Sequence, residues 1–130
     1  MDRIEFRVET QDLPVGAEFP RVVPVVNGVR IDELVAEATG DDFGGLTPGV
    51  FLTLKYRDEP SRRRLFGCCC GDPDCSWVTV DMKAEGGAVV WRNVMSSRPD
   101  QDEQLASLGP FAFDRVQFAA ALERLQSESQ

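Results

Sequence analysis

The strongest constraint on the fold lies between residues 77 and 94. Trp77 to Met82 alternates apolar and polar side chains, Ala88 to Val94 alternates again, and Glu85-Gly86-Gly87 stands between them. A period of two is the mark of a half-buried strand, and a glycine pair supplies the backbone freedom that a tight reversal requires. These residues predict an antiparallel hairpin. A hairpin buries its apolar face only against a further layer, so the rest of the chain must supply neighbouring strands and a cover.

The remaining elements follow from the same patterning. Arg3 to Glu9 places Ile4, Phe6 and Val8 on one side and charges on the other, which predicts a strand. Residues 11–20, with Pro14, Gly16 and Pro20, read as a loop. Val22 to Val26 is a short β-branched run, and Pro24 inside it points to a sheet edge. Asn27-Gly28 is a turn signal, after which Ile31, Leu34, Val35 and Ala38 fall at helical spacing. We prefer strand, turn, helix here to a hairpin closing on 29–31. Asp32 and Glu33 suit the first turn of that helix and Gly40 its end. Asp41 to Gly49 reads as a loop and Val50 to Tyr56 as a strand, with Arg62 to Cys70 returning antiparallel to it. Residues 95–110 look irregular. Asp114 with Gln117 approximates a capping box, followed by the stripe Phe118, Leu122, Leu125 of a closing helix. The expected class is α+β: a mainly antiparallel sheet of about six strands with two helices on one face, all in a single domain 1–130.

Composition narrows the chemistry. The chain contains no histidine, which removes Ser-His and Cys-His nucleophile pairs, histidine metal ligands and the commonest general base. Lys and Arg number 14 against 22 Asp and Glu, a net charge of −8, so nucleic acid and anionic membranes are poor partners. Residues 1–60 hold 12 acids and 6 bases, and residues 61–130 hold 10 and 8. Such a surface keeps a domain soluble, and its acidic half would also steer a basic protein partner. No run reaches the length of a membrane span, and the first residues lack the basic segment and apolar run of a secretory signal, so a cytoplasmic location is expected.

All four cysteines fall within Gly67-Cys68-Cys69-Cys70-Gly71-Asp72-Pro73-Asp74-Cys75. On a strand, Cys68 and Cys70 share one face and Cys69 takes the other, while Gly-Asp-Pro-Asp is turn chemistry that would bring Cys75 back to the pair. Three readings compete: a zinc site on Cys68, Cys70 and Cys75 with a carboxylate or water as fourth ligand; a redox-active dithiol, making the chain a thiol enzyme or sensor; and reduced thiols packed as small hydrophobes. Arg62-Arg63-Arg64 is a basic spot, but strand alternation splits its side chains between two faces. Trp77 and Trp91 are placed to meet across the hairpin, packed in or at the edge of the core.

The segment 65–75, then Val89-Val90-Trp91-Arg92, then Leu108-Gly109-Pro110-Phe111-Ala112-Phe113-Asp114-Arg115 resembles a group of small, mainly actinobacterial proteins that combine C-x-C-G-x-x-G-C with V-V-W and L-G-P-F-x-F-D-R. Cys68, Cys70, Gly71 and Cys75 match the motif, whereas Asp74 stands at its second glycine. The resemblance covers the C-terminal half and implies a bounded bacterial domain with no assigned reaction. The reading that best fits these features is a non-catalytic domain that binds another protein, with the thiol enzyme or sensor as the rival.

Overall fold

The computed structural model describes residues 1–12, 18–41, 43–52, 59–68 and 76–128. Among these, eight strands form two antiparallel sheets, with four α-helices, so the α+β class holds with more elements than expected. One sheet joins β1 (Ile4–Asp12), β2 (Glu18–Val26) and β3 (Val29–Arg30) in that order. The other runs β4 (Phe43–Gly45), β5 (Ser61–Cys68), β6 (Val78–Glu85), β7 (Ala88–Ser96) and β8 (Phe111–Asp114), also in chain order. The helices are α1 (Ile31–Thr39), α2 (Pro48–Leu52), α3 (Asp102–Leu105), which continues a 3-10 turn at Pro99–Gln101, and α4 (Arg115–Glu128).

Local chemistry accounts for the tight connections. The β6–β7 hairpin closes on Glu85 opposite Ala88, with Gly86 at φ +58 in its two-residue turn. In the turn between β2 and β3, Asn27 at φ 53 and Gly28 at φ 81 are both left-handed, the pattern whose twist matches two antiparallel strands. The hairpin alternative at 29–31 is thus partly realised: Val29 and Arg30 pair with β2, and α1 starts at Ile31. Gly40, at φ +77, ends α1 by donating its N–H to the Ala36 carbonyl at 2.8 Å.

Pro24 tests the edge argument. β2 lies between β1 and β3, yet the Val22 N–H bonds the Leu46 carbonyl at 2.8 Å, away from β1. Nitrogens two residues apart point the same way, so Pro20 and Pro24 also face away from β1 and cost that ladder nothing. β3 begins its pairing at Val25, past Pro24.

Three expected elements are corrected. Residues 11–20 are not all loop, because the β1–β2 ladder runs out to Asp12 opposite Glu18. Phe43–Gly45, expected in a loop, is a strand paired with Phe66–Cys68. Residues 50–52, expected to begin a strand, belong to α2, which buries Phe51 against Phe6 at 5.6 Å between ring centres. Residues 53–56 of that expected strand lie outside the described residues.

Two further contacts link the sheets. The Val22–Leu46 bridge sets β2 beside the end of β4, and an Asp2–Phe113 bridge sets the start of β1 beside β8. The first brings Gly45 so close to β2 that a Cβ there would stand 2.7 Å from the Cβ of Arg21. Inside, Phe118 of α4 packs on Phe6, Trp91 and Phe113 with ring centres 5.8, 6.0 and 5.8 Å away. The two tryptophans do not meet: Trp91 is buried opposite Met82, and Trp77 is half-buried beneath the Arg64 guanidinium, 4.5 Å from its ring.

Gly45→Ala should therefore destabilise the fold by about 2 kcal/mol, the usual cost of overpacking a close approach. Chemical denaturation of Gly45→Ala beside Gly49→Ala, whose Cβ meets nothing within 4 Å, checks the assignment. Equal stabilities would contradict it.

Candidate functional site

The cysteine segment leaves the described structure almost at once. Cys68 closes β5 opposite Phe43, and Cys69, Cys70 and Cys75 lie outside the described residues. Beyond the segment, Ser76 is buried and Trp77 is tied to Ser97 by two hydrogen bonds, Trp77 N–H to Ser97 Oγ at 3.1 Å and Ser97 N–H to the Trp77 carbonyl at 2.9 Å. Among the described residues no three Cys, His, Asp or Glu side chains come together as a metal site.

The arginine run behaves as alternation requires. Arg62 and Arg64 share a face: Arg62 pairs with Asp81 at 3.1 Å and donates to Thr79 Oγ1 at 2.8 Å, while Arg64 covers Trp77. Near Arg62 two bulges shift the ladder. On β5 the shift falls between Arg64 and Phe66, and on β7 Asn93 adopts φ 56, so that Arg92 and Asn93 are both exposed. They border a cavity of about 330 Å³ lined by Arg62, Arg92, Val94, Met95, Asp102 and Leu108, among others. Its charged groups are already engaged. Arg62 holds Asp81, Arg92 forks onto Glu85 at 2.9 and 3.0 Å, and Asp102 accepts the Ser96 N–H at 2.9 Å. Nearby, the Asp41 carboxylate is bound by Arg98 at 2.9 Å and by the Gln101 amide.

The opposite situation holds along β1. Val8 pairs with Val22, whose N–H faces away from β1, so this is a non-hydrogen-bonded pair and the Val8 N–H and C=O also face outward. By the same parity Ile4, Phe6 and Thr10 present their main-chain groups outward. At Ile4 the groups are taken: the Gln117 side chain accepts the Ile4 N–H at 3.0 Å and donates to the Ile4 carbonyl at 2.7 Å. Gln117 thus stands in for a strand at one position. The expected capping box is only half formed as a result. Asp114 Oδ2 caps α4 by accepting the Val116 and Gln117 N–H groups at 3.1 and 3.0 Å, but Gln117 reaches across to β1 instead of back.

Beyond Ile4, the outward groups of Phe6 and Val8 have no hydrogen-bond partner among the described residues. Phe6 lines a groove of about 400 Å³ between β1 and α4, bounded by Arg3 to Arg7 on one side and by Gln117, Ala120, Ala121, Arg124 and Glu128 on the other, and Val8 follows just past that lining. The outer face of β1 alternates in charge along Arg3, Glu5, Arg7 and Glu9. Glu9 is fixed by Arg30 at 3.0 Å and Arg21 at 3.2 Å, and Arg30 also forks onto Asp32 at 3.1 and 2.9 Å. Hydrogen bonding to Arg30 holds the Glu9 carboxyl below its ordinary value of 4.5. Burial alone would raise Asp32, but the hydrogen bond and charge of Arg30 outweigh it and leave it below 3.8.

This unpaired edge and its groove form the candidate site. Comparison with protein-family models, curated proteins and solved structures finds no match to the chain. Sequence reasoning located β1 but not its free edge, because no pattern within β1 specifies which strand fails to pair with it.

Because Glu9 and Asp32 are both depressed on folding, their stabilisation is complete above 4.5 and is lost as the pH falls through the lowered values. Arg30→Ala should cost about 2 kcal/mol at neutral pH by leaving two carboxylates short of donors. It should also flatten the acid limb of a stability–pH curve measured by urea unfolding. A limb as steep as in the wild type would contradict this assignment. Gln117→Ala, measured the same way, should lose about 1–2 kcal/mol with its two bonds to Ile4.

Proposed function

We propose that this chain is a non-catalytic binding module that engages another protein by accepting an extended segment along β1. One observation carries the reading: the main-chain donors and acceptors of Phe6 and Val8 point away from β2 and lack partners among the described residues, and Phe6 lines a groove. Unsatisfied strand edges recruit strands, and a groove between an edge strand and a helix is a recurrent way of holding one. The surrounding surface supports a protein ligand over a polyanion, since the net charge is −8. Its acidic N-terminal half would hasten encounter with a basic partner. No helix of the described residues is long and apolar enough to cross a membrane.

Affinity capture from native lysate, with the wild-type chain and with Val8→Pro, tests this reading. The proline removes one outward N–H and leaves the β1–β2 ladder intact. A protein recovered by the wild type alone is the expected result. The same protein recovered by both, or none by either, would count against the edge.

Within this module we assign Cys68, Cys70 and Cys75 as thiolate ligands of a structural zinc ion, with Cys69 excluded. Strand alternation and turn chemistry support that choice, and the residues flanking the segment are held, Cys68 by pairing with Phe43 of β4 and Trp77 by Ser97 just past β7. Protein purified without chelator should carry about one zinc per chain, lost in Cys70→Ser and Cys75→Ser and kept in Cys69→Ser. Metal-free protein with an activated thiol near neutral pH would favour the redox reading instead.

A further inference from the structure

The free edge of β1 is charge-coded, and the code is self-complementary. Its outer face reads Arg3, Glu5, Arg7, Glu9, alternating in sign at every second residue. Resting on the reading of β1 as an interaction edge, we infer that the segment this edge accepts is β1 of a second copy of the chain. The two copies would be antiparallel about a two-fold axis at Val8.

Parity limits the registers. Both strands must present outward-facing main-chain groups to each other, so even-numbered residues pair with even-numbered residues. A two-fold axis at Val8 sets Phe6 opposite the second copy's Thr10 and Val8 opposite the second copy's Val8. From Phe6 to Thr10 the register uses only outward groups that Gln117 does not hold, and the ladder ends before Ile4 would meet the second copy's Asp12. It also sets Arg7 opposite the second copy's Glu9, and Glu9 opposite the second copy's Arg7. Opposite charges directly across a ladder favour pairing.

The neighbouring registers are disfavoured for separate reasons. Moving the axis to Arg7 sets arginine against arginine and Glu5 against Glu9, and like charges directly opposite oppose pairing. Moving it to Phe6 restores opposite charges but needs the main-chain groups of Ile4, which the Gln117 amide already occupies at 3.0 and 2.7 Å. Moving it to Glu9 sets glutamate against glutamate. Only the Val8 axis meets both conditions.

The residues involved are prepared for this contact. Glu9 is held by Arg30 and Arg21 with its side chain 27% exposed, so little further ordering is needed when a new arginine arrives. Arg7 is 49% exposed and makes only a loose 3.6 Å pair with Glu5 on its own strand, so it is available to turn across the ladder. An isologous contact of this kind closes at two chains, because each β1 has one free edge and the contact uses both.

Sedimentation velocity from low to high micromolar concentration tests the inference on the full chain. The wild type should pass reversibly from monomer to dimer. Val8→Pro should remain monomeric throughout, with circular dichroism reporting whether it is folded. Arg7→Glu sets glutamate against glutamate without touching the β1–β2 ladder, and should raise the dissociation constant about tenfold. Wild-type protein that stays monomeric overturns self-pairing, as does a dimer that both variants leave unchanged. If the wild type is monomeric while Val8-dependent capture of another protein persists, self-pairing alone has failed. If both are lost, the edge reading has failed with it.

Discussion

The packing of Phe118 against Phe6, Trp91 and Phe113 is the contact on which the arrangement rests. Those three rings belong to β1, β7 and β8, so one side chain of α4 touches both sheets at once. Aromatic rings gain from edge-on geometry as well as from area, and Phe6 and Trp91 both meet Phe118 at close to a right angle, 87° and 81°. With α4 fixed there, the next residue to matter is its neighbour Gln117, one position away on the helix and aimed at the edge of β1.

The position of α4 explains why β1 is left open. The chain is bridged to β8 just before β1, at Asp2, where the Asp2 N–H bonds the Ala112 carbonyl at 2.8 Å and the Asp2 carboxylate accepts the Ala112 N–H at 2.9 Å. That backbone contact, with Asn27, holds Asp2 below the usual carboxylate range. The next outward position, Ile4, is satisfied by Gln117. From Phe6 onward the helix supplies a groove wall but no further hydrogen bond to the strand. The fold therefore closes at one end of β1 and opens at the other, and the functional proposals concern that transition.

The sequence made local patterns legible and non-local ones obscure. The β6–β7 hairpin and the stripe of α1 were readable because period, turn glycines and caps all lie within a few residues. Phe43–Gly45 was not. Two of its three residues are glycine, which is depleted in strands, and the segment becomes β4 because β5 offers a ladder and because Gly45 tolerates Arg21 at a separation that a side chain would forbid. The apolar alternation from Val50 misled in the other direction, since burial of Phe51 against Phe6 outweighed propensity in a short helix. The cysteines were legible as a segment, and their geometry lies beyond the described residues except at Cys68. The open edge depends on which strands the chain fails to bring together, which no window of residues contains.

Amide hydrogen exchange at dilute concentration tests that edge most directly. Along β1 the odd-numbered amides of Glu5, Arg7 and Glu9 face β2 in the ladder, whereas those of Phe6 and Val8 face away from it. The account predicts slow exchange at the odd positions and fast exchange at Phe6 and Val8, with Ile4 slowed by Gln117. Uniform protection along the strand in dilute, unpartnered protein would contradict it.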